Sequence, residues 1–147
     1  MKIISENRRG LHGFKIIDKF EAGIELLGWE VKSARAGGID LTNSYVYHKK
    51  GEMFLSESHF PKYMLLKCEE KRDRKLLLHK KEIIRIQSKL DKTPSSTIKP
   101  TKIYFNNKSK IKVEIALVQG MNKADKREEI KRKDNEKYIQ KVQNYYK

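Results

Sequence analysis

Apolar and polar positions alternate twice along this chain with the period of a half-buried strand. The first run is Phe14, Ile16, Phe20, Ala22, Ile24 and Leu26, a single parity broken only at Asp18. The second is Ile111, Val113, Ile115 and Leu117, set against Lys110, Lys112, Glu114 and Ala116. After Gly28 the alternation stops. Trp29 to Ala36 contains no Pro and no two-residue period, and Gly37 can supply the left-handed residue that ends a helix. The pattern predicts a long strand over about 13–27 that feeds a short basic helix over about 28–36.

Further elements follow from shorter signals. Tyr45-Val46-Tyr47 and Met53-Phe54-Leu55 are strand formers around the turn Lys49-Lys50-Gly51, which predicts a hairpin within about 40–58. Leu76-Leu77-Leu78 either ends a buried strand or enters a helix. His79 and Glu82 have capping-box spacing, and Ile83, Ile84, Ile86 and Leu90 fit one face of a helix over about 80–90. Ile98, Thr101, Ile103 and Phe105 mark another strand, where Pro100 suggests an edge or entry position. Between His59 and Asp73 no period holds, and the segment reads as an irregular loop running into the charged stretch 68–75. The expected class is mainly β: about six antiparallel strands closed into a small barrel, which buries the alternating residues and removes the edges, with two or three short helices.

Charge changes what this barrel is expected to meet. The 147 residues carry a net charge of +15, with a pI near 9.8. That balance points to a polyanionic partner. Lys and Arg recur on the parity opposite the apolar one, interleaved with Tyr45, Tyr47, Tyr63, Tyr104 and Phe105. Cations that hold phosphates and rings that stack on bases are the combination RNA requires. Lys32 and Arg35 share one face of the first helix. Asn7-Arg8-Arg9-Gly10-Leu11-His12 is either a basic arm that touches phosphate or a frayed, solvated terminus. Glu21 points away from the apolar parity, as the wet side of a strand does.

Composition shifts at Gly120, which divides the chain into a body, 1–119, and a basic tail, 120–147. The tail holds nine Lys/Arg against five Asp/Glu, a net of +4, where the body carries +11. Its apolar residues are sparse, and Glu128–Arg132 and Glu129–Lys133 are favourable i,i+4 pairs. The tail is expected to be disordered alone and helical on a partner.

Catalytic signals are missing from the sequence. There is no Gly-rich phosphate loop, no G-x-S-x-G and no H-E-x-x-H. The four His are scattered, and the single Cys68 has neither a disulfide partner nor a zinc-spaced neighbour. No enzyme activity, metal or cofactor is expected. No apolar run is long enough to span a membrane, no signal-peptide apolar region follows Met1, and a cytoplasmic location is the simplest expectation.

The residues also resemble a known family. The runs Asn7-Arg8-Arg9 with His12 and Phe14, Phe20-Glu21-Ala22-Gly23-Ile24, Gly28-Trp29-Glu30-Val31-Lys32-Ser33 and Arg35-Ala36-Gly37 come in order. Asp40-Leu41 with Ser44-Tyr45, then Arg74 to Ile83, Lys112 to Leu117 and Asp125-Lys126-Arg127 follow. Together they closely resemble the SsrA-binding protein family (small protein B), the tmRNA partner in trans-translation, over about residues 6–135.

The resemblance implies an oligonucleotide-binding-type barrel that clasps the tRNA-like domain of tmRNA. Family RNA-contact positions fall on Glu21, Leu77 and His79, with Asn7, Arg8, Lys32, Arg35 and Lys80 beside them. The tail, through Asp125, Lys126, Arg127, Lys131, Arg132 and Lys133, would enter the decoding centre and empty mRNA channel of a stalled ribosome. Alanylated tmRNA with elongation factor Tu would be the wider partner set, and the protein a monomeric adaptor. Three features depart from the family pattern. Gly10 replaces a customary Ala, Gly120-Met121-Asn122 replaces Gly-Lys-Lys, and the loop 59–73 is richer in apolar residues. The alternative from the residues alone is a constitutive basic ribosomal or translation-factor-like RNA-binding protein.

Overall fold

The computed structural model describes residues 2–63 and 68–121. Seven strands and two helices run in the order β1 (Lys2–Glu6), β2 (Phe14–Ile24), α1 (Gly28–Ala36), β3 (Tyr45–Lys49), β4 (Glu52–Ser56), β5 (Arg74–Leu77), α2 (Lys80–Lys92), β6 (Ser96–Phe105) and β7 (Ile111–Gly120). All strand pairs are antiparallel. The sheet order is β1-β6-β3-β4-β5-β2-β7, and β6 also pairs with β7, so six strands form a ring of hydrogen-bonded pairs. Strand β1 lies outside the ring and shares one edge of β6 with β3. Pro100, which has no N–H to give, falls on β6 between the part of that edge bonded to β3 and the part bonded to β1.

The core is lined from every strand of the ring and from α2. Ala22, Val46, Met53, Leu55, Leu76, Ile83, Ile86, Ile98, Ile103, Val113, Ile115 and Leu117 are all buried in one cluster. The two alternating runs meet directly, with Phe20 opposite Ile115 and Ala22 opposite Val113.

The first run is nevertheless not one face. The register slips between Ile16 and Asp18, which stand opposite Val118 and Leu117. One extra residue in a strand reverses which side its neighbours take, and Ile16 and Ile17 remain 40% and 43% exposed. Asp18 broke the pattern because the strand bulges there. Helix α2 fastens this bulge: Lys89 donates to Asp18 and lies 5.6 Å from the centre of the Phe20 ring. The Lys89 hydrogen bond is the chief cause that holds the Asp18 carboxyl below its ordinary range.

Two other expectations need correction. The frayed-terminus reading of the N-terminal segment fails: residues 2–6 form a strand on β6, with Lys2 opposite Phe105 and Glu6 opposite Lys102, and Asn7 is buried. Ile84 does not share the buried face of α2. It turns about 100° from Ile83 and is exposed. The charged stretch 68–75, into which the irregular loop runs, contains the largest fully buried side chain among the described residues, Arg74.

Arg74 and Glu30 of α1 are both 0% exposed and pair through the Arg74 Nε. The guanidinium also donates from Nη1 to the Ser58 carbonyl at 2.9 Å and to the Arg72 carbonyl at 3.0 Å, and from Nη2 to the Glu70 carbonyl at 3.1 Å. It covers the buried Phe60 ring at 3.9 Å. Glu30 further accepts from Arg72 and from the Leu27 N–H that opens α1. One buried ion pair therefore locks α1, β5 and both described ends of the 59–73 segment together.

Candidate functional site

Where β2, β5 and the start of α2 converge, an open groove of about 750 Å³ is lined by Glu21, Leu77, His79 and Lys80, with Gly23 and Lys112 beside them. The local sequence explains the convergence. Strand β5 alternates, so Leu76 is buried and Leu77 points outward, 52% exposed. His79 then caps α2: its N–H donates to Glu82 Oε1 at 3.3 Å, and helix begins at Lys80. Gly23 stands opposite Leu77, and a Cβ at position 23 would lie 3.1 Å from the Leu77 Cβ. The missing side chain lets β2 and β5 meet closely and leaves Leu77 free as an apolar projection. At the rim Lys75 pairs with Glu52 at 2.9 Å, which together with Glu25 raises the Lys75 pKa.

Glu21 accepts a hydrogen bond from the hydroxyl of Tyr104 on β6. Its cross-strand neighbour on β7, Glu114, is neutralised by Lys102 at 3.3 Å and Lys19 at 3.5 Å. The groove thus offers apolar side chains led by Leu77, one imidazole, the three lysines Lys75, Lys80 and Lys112, and the three carboxylates Glu21, Glu52 and Glu82. Such a set suits a ligand with both faces and polar edges, and the cations suit a polyanion.

Four of the eight candidate body residues meet in this groove, and the other four lie elsewhere. Asn7 is buried: its Nδ2 donates to the Pro100 carbonyl at 2.8 Å, its Oδ1 accepts from the Gly10 N–H at 3.0 Å, and its backbone N–H donates to the Thr101 carbonyl at 2.8 Å. Its side chain shapes the turn that carries Arg8 and Arg9. Arg8 is exposed, pairs with Glu6 at 3.0 Å, and lines a separate surface recess with Arg9, Asp40 and Thr42. On α1, Lys32 is exposed with its Nζ 5.6 Å from the Tyr63 ring centre, and Arg35 is exposed in the last turn. The tail candidates Asp125, Lys126, Arg127, Lys131, Arg132 and Lys133 lie outside the described residues.

The turn at Asn7 also accounts for Gly10. A Cβ there would overlap the Asn7 side chain and the Thr42 carbonyl. Gly10→Ala is expected to cost about 1–3 kcal/mol, read as a lower denaturant midpoint with an unchanged slope. An unchanged midpoint would show that the turn relaxes freely.

Sequence reasoning missed Gly23, Lys112 and the bond from Tyr104. Gly23 and Lys112 lay inside resemblance runs, but their juxtaposition depends on strand register. Tyr104 was noted only as one of several interleaved aromatics.

A ring of antiparallel strands, a net charge of +15 and an open groove that mixes lysines, carboxylates and apolar projections define a small basic β-protein. The SmpB protein family model matches residues 4–145, and the chain belongs to that family. It is 73% identical to the SsrA-binding protein of Mycoplasmopsis agalactiae, over 99% of each chain. It is 47% identical to the SsrA-binding protein of Fervidobacterium nodosum, again over 99% of each. A solved chain described as "tmRNA-SmpB: a journey to the center of the bacterial ribosome" superposes with a TM-score of 0.68 at 38% identity, covering 86% of this chain and 93% of that one. Among the described residues, no helix is long and apolar enough to cross a membrane, and no group of three or more His, Cys, Asp or Glu is placed to hold a metal ion.

Proposed function

We propose that this chain is a non-enzymatic RNA-binding adaptor of the cytoplasm, acting in trans-translation. Its ring of strands serves as an oligonucleotide-binding-type barrel that holds the tRNA-like domain of tmRNA. The observation that carries this reading is the convergence of Glu21, Leu77, His79 and Lys80 in one groove of a family member with net charge +15. In that groove Leu77 packs against a base or sugar, His79 stacks or donates, Lys80 meets phosphate, and Glu21 accepts from a base amino group or a ribose 2′-OH. Arg8 on its turn, and Lys32 and Arg35 on α1, supply phosphate contacts at a distance from the groove, and Asn7 acts by holding the turn.

The tail, through Asp125, Lys126, Arg127, Lys131, Arg132 and Lys133, occupies the decoding centre and empty mRNA channel of a stalled ribosome. Alanylated tmRNA with elongation factor Tu is delivered by a monomeric adaptor, and bond-making belongs to the ribosome. The names of the relatives and the ribosomal setting of the superposed chain support this assignment.

Binding to a transcript of the tRNA-like domain tests it. With about six phosphates engaged, log affinity should fall against log salt with a slope near −4 to −5. Leu77→Ala should weaken binding roughly tenfold, within the range of one lost base contact, at an unchanged slope. A flat salt response, or equal affinity for any folded RNA of that size, would argue against the assignment. A constitutive ribosomal protein would instead co-sediment with subunits at high salt whether or not tmRNA is present.

A further inference from the structure

Tyr104 is 4% exposed, yet it stands apart from the hydrophobic core cluster that takes in its neighbour Ile103. It lies on β6 opposite Ile3 of β1 and Lys112 of β7, so its hydroxyl must reach past β7 to donate to Glu21 Oε2 on β2. The ring is held in turn, with the Lys102 Nζ 5.6 Å from its centre and tied to Glu114. Burial, and then the Glu21 and Glu114 carboxylates, push the Tyr104 phenol above its ordinary range, so it remains a donor.

The charges around this bond are distributed unevenly. Glu114 has two lysines, whereas among the described residues the one partner of Glu21 is the Tyr104 hydroxyl. The Glu21 carboxylate, with no ion pair among the described residues, is oriented by a neutral donor and left with acceptor capacity at the groove. An ionised carboxylate only accepts and repels phosphate, so it selects N–H or O–H groups over the RNA backbone.

We propose that Tyr104 is a positioning residue for RNA recognition: its hydroxyl fixes the Glu21 carboxylate so that Oε1 meets an amino or 2′-hydroxyl donor of RNA seated in the groove. The proposal rests on the groove being the RNA site. An acceptor already ordered by Tyr104 loses less freedom on binding than a free Glu side chain does. Donors presented in a different geometry then gain less from it, which gives the groove selectivity as well as affinity.

The test uses full-length protein and a transcript of the tmRNA tRNA-like domain. Tyr104→Phe removes one oxygen and keeps the ring. Its affinity should fall about tenfold, as for loss of a hydrogen bond to a charged group. The salt slope should not change, and the melting midpoint should stay within a few degrees. Glu21→Gln should lose a similar factor, and the double variant should lose no more than Glu21→Gln alone. Wild-type affinity in Tyr104→Phe, additive losses in the double variant, or a midpoint that falls in step with affinity would each overturn the positioning role. Glu21→Gln binding like wild type would instead overturn the reading of the groove, so the two failures are distinguishable.

Discussion

Glu30→Ala is expected to destabilise the protein by about 3–5 kcal/mol, the range for breaking a buried ion pair from one side. The melting midpoint should fall by roughly 10 °C or more. The size follows from what is left behind. With Glu30 gone, the Arg74 guanidinium stays at 0% exposure with no carboxylate against it, and Arg72 and the Leu27 N–H lose the same acceptor. Phe60 beneath the guanidinium and the carbonyls of Ser58 and Glu70 are held by that one group, so the 59–73 segment should loosen with α1.

Glu30→Gln keeps the shape and removes the charge, and should cost less than Glu30→Ala. The decisive variant is the double change Glu30→Gln with Arg74→Met. Removing the stranded charge should recover part of the loss, giving a combined cost well below the sum of the two single changes. Additive costs in chemical denaturation, or a midpoint within about 3 °C of wild type for Glu30→Ala, would show that the pair is solvated in practice and does not lock α1.

This pair marks the boundary of what sequence could disclose. The alternating run 111–117 was legible because its apolar residues keep one parity, although Ala116 and Val118 on the other parity are buried as well. Helix α1 was legible at both ends, since Gly28 opens it and Gly37, at φ 87°, closes it. Arg74 was not legible as a buried residue. Its acceptors, Glu30 and the Ser58 and Glu70 carbonyls, come from separated parts of the chain, and locally it sits among charged residues. Strand β1 was missed for a related reason: five residues near a terminus carry a weak local signal, and their partner strand lies about a hundred residues on. The bulge at Ile17 was visible only as an interruption at Asp18, with nothing to say that register rather than chemistry caused it.

The candidate site divides along the same line. Leu77, His79 and Lys80 lie within one four-residue stretch, and their exposure follows from a strand ending where a helix begins. Glu21 joins them only through the pairing of Gly23 with Leu77, which no local pattern reports. The link from Tyr104 to Glu21 spans two strand registers and was further still from what periodicity can carry.

A chain ended after Met121 is expected to keep its affinity for the tRNA-like domain of tmRNA within about twofold, or some 0.4 kcal/mol, and to lose peptide tagging on stalled ribosomes to background. The first half follows from the fold. The seven strands of the described residues and every described residue that lines the groove are kept, and so are the last bonds of β7, Gly120 N–H to the Ser95 carbonyl and Met121 N–H to the Gly13 carbonyl, both at 3.1 Å. The second half follows from the proposed role of Asp125 to Lys133 in the decoding centre.

The removed segment also carries net charge, and a cationic arm strengthens binding to any RNA. The comparison therefore needs an unrelated folded RNA of equal size. A loss shared equally by both RNAs would reflect charge alone and leave the groove intact as the recognition site. A loss confined to the tmRNA domain would mean that residues beyond Met121 take part in recognition, and the division between a binding body and a ribosome-reading tail would fail. Tagging that survives truncation would remove the tail from the mechanism altogether. Binding kept and tagging lost is the pattern expected if holding the RNA and placing it on the ribosome depend on two physically separate parts of one small basic chain.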